Sequence, residues 1–408
     1  MGKIIVDLQE INWHLAVNSD DFGHRSANSC LFFRRVAIAE HRKRDGEVFL
    51  FSPSGEGSIL LIDVPERVER DLVHSIAAAC TMETYELLDT REGPVLTSRL
   101  NMGGLTWSAT GDQALSVRKM ILSFVQSARK HKYELVSQLS SSHSALKHCT
   151  VQVSNLNTKG TTDSLVFQHR NCLQDSPEDM LMISLNREDL LRLISCPGYV
   201  VTAVEEVIRE HWQQGLQASR EREACWELKL SGTPWWAEGE DTVKARYLVA
   251  HIISRLKALG WEVAATTDLS RKGNNKTAFV FRQAPPEVQP FSVLSFHESD
   301  KLRLMSSCDE KFVLADSLEK ILSSAGLIQS TKSYWKAKQW KLKGSPFSGD
   351  SRSDADEMIL TLTRILKQFH QQGWRLAASA DVSAKHEDDV PLSRRSWFFL
   401  HDPKHVPV

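Results

Sequence analysis

Neither charge dominates this 408-residue chain: 50 basic side chains stand against 51 acidic ones. A protein whose main task is to neutralise nucleic acid carries a large basic excess, so no bulk nucleic-acid binding is expected. Long apolar runs are missing too. No stretch reaches the roughly 18 apolar residues of a membrane-spanning helix, and the first residues lack the basic-then-apolar order of a secretory signal. Gly2 follows Met1, but Val6 stands where a myristoylation motif wants Ser or Thr. Cysteine is sparse and scattered, at 30, 80, 149, 172, 196, 225 and 308. An odd, spread set suits free thiols in a reducing compartment rather than a disulfide framework. The expectation is a cytoplasmic protein, with the nucleus as the alternative.

Signature motifs are absent as well. The chain has no Gly-x-x-x-x-Gly-Lys-Ser/Thr phosphate loop, no Gly-x-Gly-x-x-Gly after a strand, no His-Glu-x-x-His and no Gly-x-Ser-x-Gly elbow. No cofactor, metal site or catalytic residue is therefore expected.

What the chain does have is a repeat. Segments 117–139, 245–267 and 358–380 each read as an amphipathic helix running into a strand that opens on Tyr133, Trp261 or Trp374. The positions 16, 12, 9, 8 and 5 residues before each aromatic are apolar in every copy. They are Val117, Ile121, Phe124, Val125 and Ala128; Ala245, Val249, Ile252, Ile253 and Leu256; and Met358, Leu362, Ile365, Leu366 and Phe369. That spacing is one stripe of a 3.6-residue helix. After the aromatic the period becomes two, as in Trp261, Val263 and Ala265, and a Phe-rich strand returns after a turn. Upstream of each helix lie two apolar strands, another helix and one further strand.

The fold class read from this pattern is α+β. Three tandem related modules are expected, each ββα-βαββ with a mainly antiparallel sheet and two helices on one face. Proline and charge clusters place them at 48–170, 178–283 and 290–402. Residues 1–35 form an orphan N-terminal hairpin, a partial repeat without its helix. Modules of this size are expected to fold as independent domains rather than as solenoid repeats.

Five features of the sequence are candidate sites. The loop before each striped helix carries Trp107, Trp235 with Trp236, or Phe347, and Arg118 and Arg246 follow at matching offsets. These residues can line a groove for a peptide or hydrophobic ligand; the plainer alternative is a plug at the end of the core. Lys332, Lys336, Lys338, Lys341 and Lys343 surround Trp335 and Trp340, which suits an anionic membrane surface or single-stranded nucleic acid, or else is the solvated face of a strand. Asp20, Asp268 and Asp381 recur seven positions after the aromatic. Two of them lead into Ser270 with Lys272 and Ser383 with Lys385, which read more simply as turn devices than as a nucleophile and base. His143, His148, Cys149, His169 and Cys172 offer zinc-ligand atoms but match no compact finger. Cys196 and Cys308 fall before a helix, where a thiol is either reactive or a small apolar filler.

The favoured function is a non-catalytic interaction or scaffold protein binding a protein partner through repeated modules, since repetition gains avidity. The alternatives are a binder of hydrophobic ligands or anionic lipid surfaces, and an enzyme with one active unit at 178–283 whose sisters have lost the pocket.

Overall fold

The computed structural model describes residues 13–19, 30–35, 47–54, 57–80, 87–90, 97–102, 107, 109–141, 162–170, 180–222, 225–267, 277–307, 311–347, 352–383, 386–387, 390–391 and 393–402. Among them the chain is α+β, with three six-stranded antiparallel sheets and six α-helices. No described helix is long and apolar enough to cross a membrane.

A two-stranded sheet of β1 (Trp13–Ser19) and β2 (Cys30–Arg35) comes first. The first large sheet holds β3 (Val48–Ser54), β4 (Ser58–Ile62), β5 (Leu87–Thr90), β6 (Thr97–Asn101), β7 (Tyr133–Ser141) and β8 (Thr162–His169), with helices α1 (Glu66–Cys80) and α2 (Gly111–Lys130). The second holds β9 (Met180–Asn186), β10 (Leu190–Ile194), β11 (Leu216–Arg222), β12 (Cys225–Leu230), β13 (Trp261–Thr267) and β14 (Ala278–Gln283), with α3 (Gly198–His211) and α4 (Asp241–Ala258). The third holds β15 (Phe291–His297), β16 (Lys301–Ser306), β17 (Ile328–Tyr334), β18 (Ala337–Leu342), β19 (Trp374–Ala380) and β22 (Ser393–His401), with α5 (Lys311–Ser324) and α6 (Arg352–Gln371). Between β19 and β22, β20 (His386–Glu387) pairs with β21 (Val390–Pro391).

Strand order is the same in all three: β5-β6-β4-β3-β8-β7, β11-β12-β10-β9-β14-β13 and β17-β18-β16-β15-β22-β19. Each module therefore runs ββαββαββ, one strand more than the expected ββα-βαββ. The added strands, β5, β11 and β17, lie at a sheet edge. Gln329 to Ser333 of β17 are exposed without alternation, so this strand has no period-two pattern to betray it.

The stripes are buried as their spacing predicts. Every stripe position of α2 and α4 is buried, and in α6 only Leu366 is half-exposed. A matching stripe on the first helices is Val68, Leu72 and Ile76, then Val200, Val204 and Ile208, then Leu314, Leu318 and Leu322, none more than 2% exposed. Each such side chain contributes about 2 kcal/mol by leaving water. The helices stop before the aromatic at Lys132, Gly260 and Gly373, whose φ values of 65°, 86° and 81° swing the chain left-handed into the strand. The strict alternation expected beyond the aromatic is interrupted: a register shift follows Leu135 in β7 and Leu376 in β19, and Val263 and Ala265 are only half-buried.

By its contacts the chain divides into two compact units. One comprises Met1–Asn18, Ser26–Met180 and Thr267–Lys272, and the other Ser19–Arg25, Leu181–Thr266 and Gly273–Val408. The first sheet belongs to the first unit, and the second and third sheets to the second. Within the second unit the expected independence of the modules fails. Helix α4 packs on its own sheet and also on β15 and β22, and one core holds Val249 and Ile253 together with Val293, Met305, Phe398 and Leu400. All seven residues of β15 are buried as a result. The two-sided role shows in composition: α4 turns Tyr247 and Ala250 outward from its own sheet and buries them, whereas α6 leaves Leu360, Arg364 and Lys367 exposed.

Candidate functional site

The loop aromatics are core plugs rather than groove lining. Trp107, Trp235 and Phe347 are 1%, 0% and 1% exposed. The Trp107 indole N–H donates to the Ser58 carbonyl at 2.9 Å and that of Trp235 to Leu190 at 3.1 Å, each the first residue of the second strand. The backbone N–H of Trp235 donates to Glu188 at 2.9 Å and that of Phe347 to Ser299 at 3.0 Å, stitching the loop to the same hairpin turn in both modules. A buried indole needs a partner for its N–H, and a carbonyl at the sheet end supplies it. Trp236 is half-buried beside its neighbour.

The arginines at matching offsets share one feature and differ in the rest. Arg118 Nη1 donates to Ala114 O at 3.0 Å and Arg246 Nη1 to Thr242 O at 2.7 Å, one turn back in each helix. Arg118 is half-buried, whereas Arg246 is 0% exposed. Its Nε donates to Ser396 Oγ at 2.8 Å and its Nη2 to Ser383 Oγ at 3.3 Å, both in the third module. Burial lowers its pKa from 12.5 to about 10, against the attraction of Asp381 and with a smaller push from Arg303.

A second guanidinium completes this node. Arg303 Nε donates to Gln339 Oε1 at 2.8 Å and its Nη1 to Thr242 Oγ1 at 2.9 Å, while its plane lies 4.0 Å from the Tyr334 ring centroid. Burial lowers its pKa as well. His297 sits between, with Nε2 2.9 Å from Ser295 Oγ, and burial and the two arginines hold its pKa well below 6.5. The same cross-strand position in the second sheet is the ion pair Arg192–Glu227 at 3.0 Å. In the third, Gln339 replaces the carboxylate. Two guanidiniums hold the two modules together through the serine and threonine hydroxyls that accept from them, with the buried His297 imidazole beside them.

Farther along α4, rings gather. His211 and His251 stack with centroids 3.4 Å apart, Tyr247 and Phe291 pack edge-on against His251, and Trp335 packs edge-on against Tyr247. The Lys336 ammonium caps the Tyr247 ring at 4.8 Å. Burial, then His211 and Lys336, lower the His251 pKa to about 3, and its Nε2 is buried without a hydrogen-bond partner.

An open groove lies in the first module. It encloses about 260 Å³ between α1 and α2 and is lined by Asp71, His74, Ser75, Gln126, Lys130 and His131 among others. His131 Nε2 lies 3.0 Å from Asp71 Oδ2. At the positions of Asp71, Ser75 and His131 the second module has Ala203, Val207 and Leu259 and the third Ser317, Ile321 and Gln372, where Gln372 donates to Ser317 at 2.9 Å.

The lysines divide between two surfaces. Lys338 pairs with Glu319, Lys341 lies 3.8 Å from Asp300, and Lys343 is exposed. Trp340 is fully buried, so only Trp335, 36% exposed at the β17–β18 turn, meets solvent with Lys332 and Lys336. Asp381 makes the expected turn device, accepting from the Ser383 N–H at 3.1 Å. Cys196 is half-buried against the core of its module, and burial pushes its thiol up. His169 packs edge-on against Tyr133 at 5.1 Å. Asp20, His143, His148, Cys149, Cys172, Asp268, Ser270, Lys272, Cys308 and Lys385 lie outside the described residues. Among the described residues no three His, Cys, Asp or Glu side chains are placed to hold a metal.

One family model, for an uncharacterised domain, matches the chain at residues 179–282 and again at 290–400, together just over half of its length. No curated protein and no solved structure matches it.

Proposed function

Because the chain belongs to this uncharacterised domain family and carries its domain twice, we propose that it is a non-catalytic interaction protein, a cytoplasmic scaffold that captures an extended segment of a protein partner. One observation carries the reading. The two family-domain copies end on matching seven-residue edge strands, β11 and β17, that are mostly exposed and contain no proline. An edge strand keeps a row of backbone donors and acceptors on its outer side, the template that a peptide strand completes. The shared core behind β17 makes the platform stiff, and Lys332, Trp335 and Lys336 give it a cationic, aromatic end suited to an acidic peptide.

The test is affinity capture with lysine cross-linking, followed by proline substitution. Of Thr331→Pro and Lys332→Pro, one removes an N–H that points away from β18 and spares the ladder. That variant is expected to keep its unfolding midpoint and lose the partner, and wild-type cross-links are expected at Lys332 and Lys336. A partner retained by both folded variants overturns the reading. Trp335 with its lysines also favours a second reading, docking on an anionic lipid surface; flotation with anionic vesicles that is lost in Lys332→Glu with Lys336→Glu identifies that instead.

A further inference from the structure

Backbone pairing fixes which groups of the edge strand β17 are left over. The Leu342 N–H donates to the Asp300 carbonyl at 2.7 Å, so Leu342, Trp340 and Lys338 turn their backbone groups toward β16, and Lys341, Gln339 and Ala337 turn theirs toward β17. Their register partners Ser330, Lys332 and Tyr334 are then the bonded residues of β17, and the N–H and C=O of Thr331 and Ser333 point out of the sheet edge. The second module has the same phase. The Leu230 N–H donates to Asp189 at 2.8 Å, which leaves Ser219 and Glu221 outward on β11.

Side chains follow the same alternation. Lys338 pairs with Glu319 of α5, while Gln339 accepts from Arg303, which also bonds Thr242 of α4. Thr331 and Ser333, opposite Trp340 and Lys338, therefore lie on the α5 side, and Lys332, opposite Gln339, lies on the α4 side. All three are exposed. The two edges differ in the charge around this central cation. Lys332 faces the neutral Gln339, its ammonium lies 5.3 Å from the Tyr334 ring centroid, and among the described residues no carboxylate pairs with it. The matching Arg220 of β11 faces Glu227 across the ladder, and Glu221 stands where β17 has Ser333.

Resting on the capture role given to β17, we propose that this edge takes an antiparallel strand whose backbone bonds to Thr331 and Ser333 and whose carboxylate side chain stands directly opposite Lys332, and that β11 does not take the same strand. The place opposite Lys332 is a non-hydrogen-bonded pair, about 4.5 Å between Cα atoms, the closer of the two cross-strand spacings. Opposite charges there attract, and like charges repel. A second copy of β17 is the poorer occupant, because antiparallel self-pairing through Thr331 and Ser333 of both copies sets Lys332 against Lys332. The cation thus blocks self-association, the usual hazard of an open edge, and admits an acidic strand.

Two seven-residue synthetic peptides, one alternating valine with glutamate and the other valine with lysine, test this against the full chain by amide hydrogen exchange read residue by residue. The saturating glutamate peptide is expected to slow the Thr331 and Ser333 amides about tenfold or more and to leave Ser219 and Glu221 unchanged. Lys332→Glu, at an exposed site, is expected to weaken the glutamate peptide about three- to tenfold and to strengthen the lysine peptide by a similar factor. Three results overturn the proposal while edge capture stands: equal protection of β17 by both peptides, equal binding of the glutamate peptide by Lys332→Glu and wild type, or protection of β11 in place of β17. Protection of neither edge by either peptide overturns both.

Discussion

Arg246 of α4 donates from Nε to the hydroxyl of Ser396 on β22, a 2.8 Å bond between fully buried groups of two different modules. Burying a guanidinium is costly unless every donor is met. Arg246 donates to Ser383, Ser396 and the Thr242 carbonyl, and the nearby charge of Asp381 favours its ionised form. The bond is therefore a specific tie between the second and third modules, added to the apolar contact of α4 with β15 and β22.

Removing it leaves Asp381 and two serines without their cation. Arg246→Ala is expected to lower stability in urea unfolding by about 2–5 kcal/mol, because it empties a fully buried site and leaves two buried hydroxyls without their donor. The half-exposed Arg118→Ala at the same helix position is expected to cost about 1 kcal/mol or less. Equal effects of the two substitutions contradict the role given to the third module's serines.

The histidines make the same junction sensitive to acid. The folded-state pKa values of His211, His251 and His297 all lie below the ordinary 6.5, His251 at about 3. The unfolded chain then binds more protons than the native one, so this stabilisation is present above pH 6.5 and is lost as the pH falls toward the folded values. Each group contributes a slope of up to about 1.4 kcal/mol per pH unit in that window. Around His251 the charged or titratable neighbours are His211 and Lys336, which oppose its protonation, while Glu210 beside His211 raises that ring's pKa. His251→Phe keeps a ring in the stack and removes one titrating group. Unfolding free energy measured from pH 7 to pH 4 is expected to fall less steeply in that variant, by about one proton's slope.

Much of this architecture is legible in the sequence, and the reasons differ by element. The stripes before Tyr133, Trp261 and Trp374 are legible because a helix packed on one sheet writes its burial at fixed spacing. The second role of α4 is not, because Tyr247, Ala250, His251 and Ser254 read as an ordinary mixed face until β15 and β22 are laid against them. Edge strand β17 escaped for the opposite reason: Gln329 to Ser333 bury nothing and leave no period. Arg246 stood out by its offset, but the offset says nothing of Ser383 and Ser396, which lie far along the chain. The groove has no local signature either, since Asp71 and His131 meet only when α1 and α2 cross.

The plug role of the loop aromatics separates packing from recognition. Trp235→Phe retains most of the buried ring and loses the bond to Leu190, a change of about 1 kcal/mol. Trp235→Ala empties a fully buried site and is expected to cost about 3–5 kcal/mol. The third module already manages with Phe347 at this place. Partner capture by folded Trp235→Phe is expected to equal wild type, because the indole meets no solvent. Loss of capture without loss of stability would show that the ring takes part in binding.

The Asp71–His131 pair offers a graft from a sister module. With side-chain exposures of 28% for His131 and 59% for Asp71, the pair is solvent-screened and stabilises by about 1 kcal/mol at most. The second module places Ala203 and Leu259 at these positions, so Asp71→Ala with His131→Leu copies a solution already present in the chain. Leucine covers apolar surface that imidazole leaves wet, and the double variant is expected to unfold at a temperature equal to wild type or a few degrees higher. His131→Leu alone leaves Asp71 beside an apolar side chain and is expected to fall below the double variant. A double variant clearly less stable than wild type would mean that the polar lining of the groove holds α1 against α2.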